Sequence, residues 1–139
     1  MTFALDHEQR RFLRDANRSF LFANRRDGTP TGWPMTPLDR EDGCIYFNTY
    51  RKSVKAQVMR RDPRVSAVIE GDLDGKRRTL AVSGDAELMD QSEAASMFEA
   101  MVRTDGFVPA EQVATTVARM QAGKRCLFRI HPRSGRWLP

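Results

Sequence analysis

"YFNTYRKSVKAQV", Tyr46 to Val58, reads as a strand on its left and a helix on its right, with Arg51, Lys52 and Lys55 gathered around Ser53 at the join. Aligned peptide dipoles already place roughly half a positive charge at a helix N-terminus, so cations there stand at the unfavourable end. Arg60 and Arg61 lie at the favourable end of the same helix, and Asp62-Pro63 stops it. The asymmetry suggests a missing anion. Free N–H groups of the first turn, the Ser53 hydroxyl and Lys55 can converge on a phosphate. Side chains that simply extend into water explain the same charges at a cost of tenths of a kcal/mol. Local physics leaves both readings open.

Outward from this stretch, short apolar runs alternate with turn signals. "SFLFANR" precedes Asp27-Gly28, "TGWPMTPL" precedes Asp42-Gly43, and "RVSAVIEG" leads to Asp74-Gly75 and then "RRTLAVSGDAELM". Asp-Gly between apolar runs signals a hairpin, because these residues tolerate positive φ. In the last run Leu80, Val82, Gly84, Ala86 and Leu88 alternate with Thr79, Ala81, Ser83, Asp85 and Glu87, an apolar face against a polar one. Gly84 predicts a bend or bulge there. Pro34 and Pro37 lack ladder donors, so their strand is predicted at an edge or irregular there.

Helices complete the pattern. Asp6 and Gln9 predict a capping box for "HEQRRFLRDAN", and Asp90 with Glu93 another for "QSEAASMFEAMVRT". "PAEQVATTVARMQA" has Pro109 at its start and Gly123 past its end. A final strand, "RCLFRIHP", and a short basic tail follow. The expectation is a mainly β domain spanning residues 1–139, a small antiparallel barrel with helices packed outside it.

Composition narrows the function. With 29% charged and 40% hydrophobic residues the chain reads as globular rather than disordered. A net charge of +5 suits an anionic partner, whether phosphate ligand, acidic cofactor or nucleic acid. No apolar run approaches the roughly 20 residues of a membrane span, and the N-terminus is charged too early for a secretory signal. Cys44 and Cys126 match neither a zinc pattern nor a disulfide framework. The expectation is a reduced, cytoplasmic protein without a membrane partner. His7 and His131 have no metal or triad spacing, and neither a P-loop nor a Rossmann glycine fingerprint occurs. No catalytic side chain and no metal site is predicted.

Five pieces occur in the order of a known family: "RRDGTP", "WPMTPL", "YFNTYRKSVKAQV", "RRDPRVSAVI" and "RRTLAVSGDAEL". From Phe22 to about Met89 the chain resembles the FMN-binding split-barrel family, which contains pyridoxamine 5′-phosphate oxidases and flavin- and deazaflavin-dependent oxidoreductases. The resemblance implies a split β-barrel homodimer with the cofactor in a groove between subunits. It sets Lys55 on the phosphate-binding lysine, and Ser53 and Thr49 on hydroxyl ligands. An extra residue here leaves Asn48 as the alternative to Thr49. Trp33, Pro34, Met35 and Thr36 match the strand passing the isoalloxazine ring, and Thr79 a polar contact to its pyrimidine edge. Trp33 reads first as a core or dimer-interface residue and second as a ring-stacking one. Where the family often has arginine stands Val54, and Lys52 or Arg51 is the replacement. The missing anion is then the cofactor's phosphate.

The implied activity is an oxidoreductase moving a hydride to or from a small organic substrate, with FMN or, as the alternative, the deazaflavin coenzyme F-420. A true pyridoxamine phosphate oxidase is not expected, because that enzyme's Arg- and His-bearing C-terminal segment has no clear match in "HPRSGRWLP". A lack of catalytic side chains agrees with a cofactor that carries the chemistry. It suits a non-catalytic flavin-binding or sensing protein equally well. Basic pairs such as Arg10-Arg11, Arg25-Arg26 and Arg77-Arg78 raise a nucleic-acid-binding barrel, but acids interrupt them and no nucleic acid is expected.

Overall fold

The Asp-Gly steps turn the chain as expected. Asp74 and Gly75 both have positive φ, 52° and 80°, the pattern of a two-residue hairpin turn whose twist matches its strands. The strands it joins are β5 (Arg64–Leu73) and β6 (Lys76–Leu88), paired along their whole length from Leu73↔Lys76 to Arg64↔Asp85. Asp27-Gly28 connects β1 (Arg18–Asn24) to β2 (Pro30–Met35), and Asp42-Gly43 connects β3 (Leu38–Asp39) to β4 (Ile45–Tyr50). The protein, here a computed structural model, is described over residues 3–16, 18–39, 42–105 and 109–139.

With the last strand, β7 (Arg125–Trp137), these elements form one antiparallel sheet ordered β2-β1-β5-β6-β7-β4-β3. β2 and β3 therefore occupy opposite edges, yet only Thr36 and Pro37 separate Met35 from Leu38. Laid flat, six interstrand steps of about 4.8 Å would hold those edges roughly 29 Å apart. Three Cα–Cα steps span at most roughly 11 Å. The sheet must curl until its edges nearly meet. "TGWPMTPL" is thus two strands, irregular at its prolines and broken where Pro37 offers no ladder donor. The edge position of Pro34 is as predicted.

Helices α1 (His7–Asp15) and α2 (Val54–Arg61) pack into the main core. The capping box on α1 is complete: Gln9 N–H donates to Asp6 Oδ1 at 2.8 Å, and Asp6 N–H donates to Gln9 Oε1 at 3.0 Å. Phe12, Leu13 and Ala16 are buried with Leu21, Ile69, Leu80 and Phe128. Asn17, expected at the end of this helix, lies outside the described residues. Helices α3 (Gln91–Asp105) and α4 (Ala110–Gln121) build a second cluster around Phe98 and Met120, against Tyr46 and Leu127. At the start of α3 the Asp90 carboxylate accepts from Ser92 N–H, at 3.3 Å. Pro109 holds the N-cap position of α4, and Gly123, at φ 74°, follows its end.

Burial explains the sequence patterns. Ile45 and Phe47 face the main core while Tyr46 faces the second cluster, so β4 is apolar on both sides and shows no alternation. Strand β1 does alternate: Ser19, Leu21 and Ala23 are buried, whereas Phe20 and Phe22 are 37% and 39% exposed.

Two features of β7 differ from expectation. It continues through "HPRSGRW" to Trp137, which pairs with Leu80, meets Phe12 edge-on and lies under the Arg78 guanidinium. Pro132, the last residue of the expected strand, sits at a bulge where no ladder donor is required. The bulge lies opposite Gly84, but the extra residue is Arg133 of β7, since Ser83 pairs with Ser134 and Gly84 with Pro132. A Cβ on Gly84 would fall 2.1 Å from the His131 carbonyl oxygen. Gly84→Ala is expected to destabilise the fold by about 1–3 kcal/mol, the usual cost of overpacking. Urea unfolding measures this, and an unchanged midpoint would refute the close approach.

Candidate functional site

The join between the curled edges opens into a groove of about 1030 Å³. Pro34, Met35 and Thr36 line one wall, Arg18 and Phe20 of β1 continue it, and α4 supplies Thr115, Thr116 and Arg119 opposite. Asn48 of β4 and Arg125 of β7 lie at one end. Their meeting follows from register, because Asn48 pairs with Leu127 and Tyr50 with Arg125. Arg125 Nη1 donates to Asn48 Oδ1 at 3.0 Å, and its guanidinium lies 3.9 Å over the Tyr50 ring. Its Nε is buried and has no hydrogen-bond partner. Arg119 Nη1 donates to the Tyr50 hydroxyl at 3.3 Å.

The helix start that opened the sequence question adjoins this corner, since Arg51 N–H donates to the Lys124 carbonyl at 2.9 Å. Ser53 is the N-cap of α2 and its Oγ accepts from Ala56 N–H at 3.1 Å. Thr49 Oγ1 lies 3.3 Å from Ser53 Oγ, and Thr49 is buried. The cap engages one helix-terminal donor and leaves the Val54 and Lys55 N–H groups without an intrahelical acceptor. Among the described residues, no carboxylate pairs with Arg51, Lys52, Lys55, Arg119 or Arg125, whereas Arg11, Arg18, Arg64, Arg77, Arg129 and Arg133 all have one. Arg119 and Arg125 therefore line the groove without an ion-pair partner, in a lining that also holds Glu111, while Arg51, Lys52 and Lys55 stand outside that lining at the adjoining start of α2.

Of the residues singled out in the sequence, Pro34, Met35, Thr36 and Asn48 line the groove. Lys52 is exposed, with its carbonyl accepting from Gln57 Nε2, and Val54 is 67% exposed. Lys55 is half-buried. Trp33 points the other way from Pro34 and packs on the main core, the first of its two readings. Thr79 does not line the groove. It pairs with Glu70, which pairs with Arg18, and so stands two strands along from the groove wall. Arg18, Arg119 and Arg125 were not singled out. Arg119 sits in the last turn of α4, where the helix dipole alone accounts for a cation, and nothing local tells that Arg125 faces Tyr50.

The family model described as pyridoxamine 5′-phosphate oxidase matches residues 5–136. No functionally curated protein matches the chain. Among solved structures, a conserved hypothetical protein from Mycobacterium tuberculosis is 28% identical, with a TM-score of 0.77 over 98% of this chain and 85% of that one. An F420 reductase is 19% identical, with a TM-score of 0.68 over 96% of this chain and 98% of that one. A heme binding protein from Mycobacterium smegmatis is 16% identical, also with a TM-score of 0.68, over 94% of this chain and 52% of that one. The last two likenesses concern the fold alone.

The cation corner has an optical signature. Arg125 beside the phenol, then Arg119, holds Tyr50 below the ordinary tyrosine value of 10. Burial, then the hydrogen bond to Asp42, pushes Tyr46 up to about 12. The chain has two tyrosines, so absorbance titration should show two separate phenolate steps, the first below pH 10 and the second near 12. Arg125→Ala should move the first step up and leave the second in place. A single step carrying both phenols would contradict this arrangement.

Proposed function

The chain belongs to the pyridoxamine 5′-phosphate oxidase family, and from that premise we propose that it is an oxidoreductase using a flavin-type cofactor, FMN or the deazaflavin F-420. The observation that carries the reading is a groove of about 1030 Å³ lined by Arg119 and Arg125, neither in an ion pair among the described residues, beside a helix start that carries Arg51, Lys52 and Lys55. That volume lies at the upper end of the roughly 300–1,000 Å³ typical of small-molecule sites. The buried, unpartnered Arg125 Nε is a donor awaiting an acceptor. An anionic, ring-bearing ligand fits these residues.

In this reading Lys55, Lys52 and the open N–H groups at the start of α2 hold the phosphate, with Ser53 and Thr49 fixing the turn that presents them. Pro34, Met35, Thr36 and Asn48 flank the ring system, and Thr79 contributes from a neighbouring subunit. When bound, the cofactor supplies hydride transfer, and the protein supplies position, charge and exclusion of water. Pyridoxamine phosphate oxidation is not part of the proposal, because His131 and Arg133 face Glu87 and Asp85 instead of the groove. A binding or sensing role without turnover is the second reading, since the described lining holds one carboxylate, Glu111, and neither a histidine nor a cysteine.

The part-exposed Phe20 and Phe22, with Pro34 paired to Phe20 at the sheet edge beside the groove, fit a second copy of the chain. Size-exclusion with light scattering at micromolar concentration should give a dimer of twice 15.9 kDa. A clean monomer would count against a groove completed between subunits.

Titration of the apoprotein with each cofactor, followed by fluorescence, tests the central proposal. Lys55→Ala should weaken binding by about 1.5–3 kcal/mol, the value of a hydrogen bond to a charged group. The folded apoprotein should lose no stability, because a charge leaves the positive end of the dipole. Arg61→Ala, at the other end of α2, should hardly change binding. Equal weakening by both would mean diffuse attraction rather than a built phosphate site.

A further inference from the structure

Strand register assembles a second group of side chains away from the groove. One step beyond the Ile45↔Ile130 pair, Cys44 stands across from His131, and their Sγ and Nδ1 atoms are 3.6 Å apart. On the other side of β7, His131 pairs with Asp85 and Arg129 with Glu87, so Glu87 is the diagonal neighbour of His131 on one face. His131 Nε2 lies 2.9 Å from Glu87 Oε1. Arg129 Nε donates to the same oxygen at 2.9 Å and keeps that carboxylate in place. A thiol, an imidazole and a carboxylate therefore stand in line. Four residues of β4, about 13 Å, separate them from Asn48 and the groove.

The order of contacts sets the proton positions. An ionised carboxylate only accepts hydrogen bonds, so Nε2 carries the hydrogen and Nδ1 turns its lone pair to the thiol. The hydrogen bond from His131, then Arg129, holds the Glu87 carboxyl below its ordinary range and so ionised. Burial, then Asp42, pushes the Cys44 thiol up, while Arg129 opposes and Glu87 adds to the rise. The thiol therefore rests protonated and needs a base to react. His131 is that base by position. Asp42 also accepts from the Cys44 N–H, at 3.0 Å, and from the Tyr46 hydroxyl, which anchors the strand end carrying the thiol.

We propose that Cys44 is a nucleophilic modification site for small uncharged electrophiles with an activated carbon–carbon double bond, with His131 as general base and Glu87 as its positioning residue. In the reaction His131 Nδ1 takes the thiol proton as the Cys44 sulfur bonds to the terminal alkene carbon. The π electrons move to the carbon beside the activating carbonyl, and that carbon receives the proton back. No group leaves and no oxidant is consumed. Cys44 is 9% exposed, which admits a small reagent and excludes a bulky one, while His131 and Glu87 are about half exposed. The proposal is independent of the cofactor reading.

Cys126, 3% exposed in β7, has no such histidine contact and is the internal control. The full chain is treated with N-ethylmaleimide, and the two cysteine peptides are followed by mass spectrometry. Cys44 should be modified at least about tenfold faster than Cys126, and His131→Asn should slow it by about tenfold or more, the low end being below the usual general-base contribution. Glu87→Gln keeps an acceptor for Nε2–H and should retain most of the rate, whereas Glu87→Ala should lose it. Melting curves verify that each variant is folded. If the His131 variant does not fold, the contrast between the two Glu87 variants decides. Equal labelling of the two cysteines overturns the proposal. So does faster labelling in His131→Asn, which would make His131 a cover over the thiol, or equal rates in the two Glu87 variants.

Discussion

Thr36 and Pro37 tie together the two edges of a sheet that pairing alone would leave open. Every other strand contact is a hydrogen-bonded ladder between neighbours, and none of them requires closure. The short link does, because its reach is about a third of the flat sheet's width. Closure then gives the interior its core of Leu21, Ile69, Leu80 and Phe128. It also creates the groove, since the edges approach at Met35 and Leu38 without a ladder between them. The site is the seam that a two-residue connection cannot zip.

β4 and β7 form the wall between two apolar clusters, and their ends carry the polar chemistry. At one end Asn48, Tyr50 and Arg125 gather with Arg119. At the other, Cys44, His131 and Glu87 meet under the tether of Asp42. The middle of β4, Ile45 to Phe47, is too deeply buried to hold charge at tolerable cost. Polar function is driven to the ends, where backbone register fixes the partners and solvent remains within reach.

What could be read from the sequence was local. The Asp6–Gln9 box, the Asp-Gly turns, the alternation of β6 and the reversed charge at the start of α2 each involve residues close in the chain. Together with the resemblance they led to the fold and to part of the groove, Pro34 to Thr36 and Asn48. What was not legible depends on register between distant segments. Arg125 across from Tyr50, His131 across from Cys44 and the division of "TGWPMTPL" at Pro37 follow from pairings that no short window contains. The continuation of β7 past Pro132 has a related cause: a bulge tolerates the proline, and the bulge is visible only in the partner's spacing.

The extra residue in β7 also sets the strand's tolerance to insertion and deletion. Arg125, His131 and Trp137 serve the cation corner, the thiol group and the α1 contact in turn, all on one continuous strand. A one-residue deletion between Arg125 and His131 would invert the faces of everything on one side of it, because strand side chains repeat every two residues. Removing Arg133 alone would erase the bulge, spare the two upstream groups and leave Ser134 to Trp137 across from their present partners, Ser83 to Leu80. Length variation in this strand is therefore confined, on geometric grounds, to the segment around the bulge, while substitutions are free to accumulate along its exposed positions.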